Sequence, residues 1–89
     1  MTTYIVTFEI SNQERKNALI EKLKAEPYYC PIHDSAWAIR TKKDIAEIKY
    51  ELVKVTTSVD RIFVIKTGTE AVWTNAYSMK NSDWLKKYL

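Results

Sequence analysis

Glycine is almost missing from this chain: Gly68 is the only one among 89 residues. A loop that cradles a phosphate needs several glycines so that backbone N–H groups can come close, so the P-loop and the dinucleotide fingerprint are both excluded. Cysteine is equally scarce. Cys30 stands alone, which rules out an internal disulfide and suits a reducing, cytoplasmic setting. Apolar runs extend only a few residues, too short to span a bilayer, so no membrane partner is expected. Met1-Thr2-Thr3-Tyr4 puts no basic segment before an apolar one, so no signal peptide is expected either. Charge blocks of one sign are absent too. Fourteen basic and eleven acidic residues interleave to give a net charge of +3, which permits an anionic partner without requiring one.

Aromatic residues, in contrast, are plentiful and gather toward the end. Trp73-Thr74-Asn75-Ala76-Tyr77 and Ser82-Asp83-Trp84-Leu85-Lys86-Lys87-Tyr88-Leu89 place large apolar surface where chains of this size usually fray. Such a tail must dock, either on its own sheet or on a second subunit. Upstream, residues 3–10 alternate Tyr4, Val6, Phe8 and Ile10 against more polar neighbours, the period of a strand. Ser11 with Glu14 reads as a capping box, opening a helix with Leu19, Ile20 and Leu23 inside, which Pro27 ends. Tyr28 to Ile32, interrupted by Pro31, suits an edge or bulged strand. Ser35–Arg40 forms the next strand, with Trp37 and Ile39 opposite Ala36 and Ala38. Asp44 caps a helix carrying Ile45, Ile48, Leu52 and Val55 at helical spacing. Asp60–Lys66 is a strand, Glu70–Trp73 a short further one, and Ser82 caps a last helical turn.

The order strand, helix, strand, strand, helix, strand describes an α+β, ferredoxin-like βαββαβ sandwich with an extra C-terminal strand and a short terminal helix. One domain over residues 1–89 is expected, with 73–89 as a docking tail open to exchange across a dimer. The second sheet face, with Ile5 and one alternate set from 60–66, lacks a helix to cover it, and a two-fold homodimer is the simplest cover. Trp73, Trp84, Leu85 and Tyr88 are the expected interface.

The strand Tyr4–Ile10, the Asp34-Ser35-Ala36-Trp37 turn, and Ala71-Val72-Trp73-Thr74 with Ser82-Asp83-Trp84-Leu85-Lys86 resemble the small bacterial and phage proteins of the SinR family. These are distant relatives of the small integrase-complex subunit of CRISPR adaptation. The resemblance covers nearly the whole chain and rests on structural motifs. It implies a ferredoxin-like homodimer serving a defence or counter-defence system. In the CRISPR relatives a carboxylate ending the first strand goes with metal-dependent nuclease activity. Glu9 holds that position here, where the pattern expects aspartate.

Three sets of residues are candidates for function. Glu9 from two subunits would make a Mg²⁺-dependent phosphodiesterase; its bland counterpart is a strand-end ion pair. Cys30, His33 and Asp34 have zinc-like spacing, but a structural site needs four ligands, so no metal is assigned. A buried thiol beside a turn in which Asp34 accepts backbone hydrogen bonds is the simpler reading. Arg15, Lys16, Arg40, Lys42 and Lys43, with Tyr28 and Tyr29, form a nucleic-acid-binding set if the fold gathers them on one surface. The leading expectation is a non-enzymatic, cytoplasmic homodimeric module that needs no cofactor and contacts nucleic acid or another anionic partner. The alternatives are the Glu9 endonuclease and a protein–protein inhibitor whose apolar sheet face captures a host factor.

Overall fold

The computed structural model describes residues 1–68 and 70–89. Strand β1 (Thr2–Glu9), helix α1 (Gln13–Lys24), strands β2 (Tyr28–His33) and β3 (Ala36–Thr41), helix α2 (Ile45–Val53), strand β4 (Arg61–Lys66) and helix α3 (Met79–Tyr88) follow in that order. The strands pair antiparallel throughout, in the order β2-β3-β1-β4. The architecture is therefore α+β: a four-stranded antiparallel sheet with three helices.

Period-two alternation divides the sheet into two apolar faces. Tyr4, Val6 and Phe8 of β1, with Trp37 and Ile39 of β3, pack against Leu19 and Leu23 of α1 and Ile48 and Leu52 of α2. Register explains the match, since Val6 lies opposite both Trp37 and Val64, and Tyr4 opposite Ile39. The Tyr4 hydroxyl, carried into this core, donates to the Lys43 carbonyl at 3.2 Å. Helix starts follow from short polar side chains. Asp44 and Glu47 bond reciprocally in a capping box, as the sequence suggests. The α1 cap is Asn12 rather than Ser11: Asn12 stays extended and its Oδ1 accepts from the Arg15 amide at 2.9 Å. Asparagine caps as well as serine, and Glu14 is left in the first turn without a reciprocal bond.

The C-terminal segment differs most from expectation. Residues 70–73 join no strand. Asn75 adopts a left-handed conformation, φ 53°, which asparagine tolerates and which turns the chain. Trp73 is held by its side chain instead, its Nε1 donating to Ser82 Oγ at 3.2 Å. Ser78, not Ser82, caps the helix by accepting from the Asn81 amide, so α3 has 10 residues rather than one turn.

Helix α3 then lies across the face opposite α1 and α2. Leu85, 2% exposed, packs on Cys30 and Ala38, with Ile5, Ile32, Trp73, Trp84 and Leu89 around it. Small side chains on β2 and β3 let the helix approach the sheet closely. Asn81 Nδ2 donates to the Pro31 carbonyl at 3.1 Å, while Tyr88 meets Tyr28 at 5.9 Å between ring centroids. The helix thus runs antiparallel to β2 and shields its edge, where a register shift between Pro31 and His33 already breaks the ladder. Half of the second face is covered by the chain's own tail. The β1–β4 half stays open, with Phe63 61% and Ile65 49% exposed.

One ion pair ties α1 to the turn before β4. Arg15 Nε and Nη2 donate to Asp60 at 2.9 and 3.1 Å, and the Asp60 side chain is only 1% exposed. The guanidinium, then the Thr57 amide, hold the Asp60 carboxyl below its ordinary 3.8. This stabilisation is complete above about 3.8 and disappears as pH falls from there through the lower folded value. Asp60→Asn should lower the melting temperature at neutral pH and narrow its gap to the wild type in acid, read by circular dichroism melts from about pH 2 to about pH 7. Leu85→Ala should destabilise the fold by about 2–5 kcal/mol in urea titration, the usual cost of a buried leucine truncation.

Candidate nucleic-acid interface

The fold splits the basic residues that the sequence groups together. Arg15 is committed to Asp60, Lys16 reaches Asp34 at 2.5 Å, and Lys43 reaches the buried Glu26 at 2.8 Å. Glu26 raises the Lys43 ammonium pKa through that bond. Three of the five expected cations are thus locally neutralised, on the α1–α2 side or its rim. The tyrosine pair divides as well. Tyr29 turns toward Trp37, ring centroids 5.9 Å apart, and Tyr28 turns to the α3 side, as adjacent strand residues must. Lys42 is exposed at the end of β3.

Arg40 behaves differently. It stands opposite Tyr28 in β2 and Thr3 in β1, and its guanidinium lies over the Tyr88 ring, 4.5 Å from the centroid. Among the described residues it pairs with no acid, and its Nε is buried without a hydrogen-bond partner. Lys87 Nζ sits 5.2 Å from the same ring, and Trp84 packs on Tyr88 with centroids 4.9 Å apart. Tyr28, 45% exposed, forms the outer side of the cluster. Cations held over ring faces gain about 0.5–1 kcal/mol at exposed sites. The arrangement is an aromatic shelf with uncompensated positive charge along one rim.

The sequence assigns Tyr28 and Arg40 to the binding set, shows Lys87 only as a cation flanking Trp84, and puts Tyr88 in the expected subunit interface. The signal was present: Trp84 and Tyr88 stand four apart on one helix face, with Lys87 alongside. Their meaning depended on α3 lying along β2, which neither spacing nor composition reports. The remaining tail residues take the first of the two docking sites that the sequence leaves open, the chain's own sheet. Trp73, Trp84 and Leu85 pack within their own chain, because the small residues of β2 and β3 offer them a site.

The Cys30–His33–Asp34 set comes apart, and Glu9 is met by a cation. Glu9 ends β1 opposite Arg61 of β4, and the two side chains form an exposed ion pair. Among the described residues no three His, Cys, Asp or Glu side chains gather to hold a metal. Cys30 points beneath α3, its thiol directed at the Pro31 and Asn81 carbonyls at 3.7 and 3.9 Å. His33 is exposed and its Nδ1 accepts from the Ser35 amide at 3.1 Å. Asp34 answers Lys16 rather than the turn's backbone, so the imidazole takes the role expected of the carboxylate. No protein-family model matches the chain, and no curated protein matches it.

Burial pushes the Cys30 thiol pKa up, which leaves little thiolate at neutral pH. The native protein should react with a disulfide reagent at least about tenfold more slowly than the urea-unfolded chain at the same pH. Equal rates would mean that α3 does not cover the thiol.

Proposed function

We propose that this chain is a ferredoxin-like, non-enzymatic, homodimeric module that binds single-stranded nucleic acid on the Tyr28–Arg40–Tyr88 shelf. The strand order β2-β3-β1-β4, with one helix crossing over between β1 and β2 and another between β3 and β4, supports the fold name. The observation that carries the function is Arg40, an acid-free cation laid on Tyr88 beside the exposed Tyr28 ring. Exposed aromatic rings stack bases regardless of sequence, and adjacent cations follow the phosphates. A duplex hides its base faces, so the unpaired strand is the better ligand. Arg40, Lys87 and the exposed Lys42 supply the phosphate contacts. The defence or counter-defence setting is carried by the family resemblance.

Fluorescence anisotropy with a labelled single-stranded oligonucleotide tests this reading. Binding should weaken steeply with salt. Tyr28→Ala should lose roughly 5- to 150-fold in affinity, from a stacking contribution of about 1–3 kcal/mol. Arg40→Gln should reduce the salt slope by about one, and Lys16→Ala, whose charge is engaged by Asp34, should change little. No rise in anisotropy at low salt, or full affinity in Tyr28→Ala, would overturn the proposal.

A further inference from the structure

The geometry points to the free edge of β4 as the place where two copies of this chain join, pairing antiparallel about a two-fold axis at Phe63. This rests on the homodimer in the reading above. Edge strands invite pairing unless something blunts them. The β2 edge is blunted by Pro31, by its register shift and by Asn81 of α3. The β4 edge has none of these devices. The Thr67 amide donates inward to the Thr3 carbonyl at 3.0 Å, so alternation turns the backbone groups of Ile62, Val64 and Lys66 outward. Among the described residues no backbone group bonds them.

Apolar surface lies on both sides of that edge. On the open face are Phe63 and Ile65. On the helix side a groove of about 530 Å³ is lined by Ile45, Val53, Ile62 and Val64, with Asp60 and Lys49 at its margins. One pair of short strands buries too little for a stable dimer, which needs about 1,200 Å² in total. The exposed Ile45 and Val53 of α2 flank the same edge and enlarge the contact on each side.

Register follows from face and from which side chains come closest. A two-fold axis perpendicular to the sheet keeps each face with its like, so odd-numbered residues must meet odd ones. With Phe63 on the axis, Ile62 pairs with Val64 of the second copy through their outward backbone groups. Phe63 meets Phe63 at a non-hydrogen-bonded position, where side chains come closest. An axis at Val64 would instead set Val64 against itself at a hydrogen-bonded position and give up the close Phe63–Phe63 contact.

This dimer has two functional consequences. At strand spacings of about 4.8 Å and rises of about 3.3 Å, the two Glu9 carboxylates stand roughly 20 Å apart, too far to share a metal. The two Tyr28 shelves lie on the same side of a continuous eight-stranded sheet, roughly 40 Å apart. An oligonucleotide long enough to reach both would bind bivalently.

Cysteine cross-linking with sedimentation decides the matter, with the wild type, whose Cys30 is buried, as the blank. Phe63→Cys should form a disulfide dimer under mild oxidation, because the paired Cα atoms would lie about 4.5 Å apart. An equimolar mixture of Arg61→Cys and Ile65→Cys should form the mixed disulfide, which guards against weakening at Phe63. Val64→Pro, which deletes an outward N–H while keeping the backbone bonds to β1, should sediment as a folded monomer and lose the tighter binding of long over short oligonucleotides. A wild-type dimer that links through Val64→Cys or Trp84→Cys instead would overturn this interface and leave the homodimer standing. A wild-type monomer at high concentration would overturn both.

Discussion

Leu85 closing over Cys30 and Ala38 decides which surfaces this chain has left to use. A four-stranded sheet has two faces, and α1 and α2 cover only one of them. Any apolar residue on the second face must be buried by something else or stay wet. Docking α3 with a single fully buried leucine and two flanking tryptophans fills the β2–β3 half. It fixes Tyr88 beside Tyr28 and Arg40 and brings Asn81 to the β2 edge. The shelf, the shielded edge and the buried thiol are all consequences of that one contact.

The same docking explains why the charge of Arg40 is left uncancelled. Several cations elsewhere find acids: Arg15 with Asp60, Lys16 with Asp34, Lys43 with Glu26, Arg61 with Glu9. On the α3 side Arg40 finds an aromatic ring instead, which attracts the cation without cancelling its charge. A ring–cation stack therefore leaves the charge of Arg40 available to the proposed ligand. An ion pair at the same place would have cancelled it.

The elements that the sequence made legible are those whose signal is local. Alternation in β1, the Asp44–Glu47 box, the helical spacing of Ile48 and Leu52, and Pro31 as an edge marker all report nearby backbone geometry. Asn12 against Ser11 was a choice between equivalent caps one residue apart. The tail was not legible, because its conformation depends on small residues some fifty positions earlier offering room for Leu85. Glu70–Trp73 has strand-like composition, yet Asn75 and the Trp73–Ser82 bond turn it into a connection. Of the candidate site, Tyr28 and Arg40 could be found, since a strand pair aligns them. Lys87 and the role of Tyr88 required α3 to be in place.

The docking of α3 on its own sheet can be measured directly by isotope-filtered nuclear Overhauser spectroscopy on a mixture of labelled and unlabelled chains. Contacts between the Leu85 and Ala38 methyl groups should arise only within one labelled chain and be absent from the inter-chain spectrum. Cross-peaks between chains at that pair would show the tail exchanged between subunits, and the second face would then be closed by a different molecule from the one described.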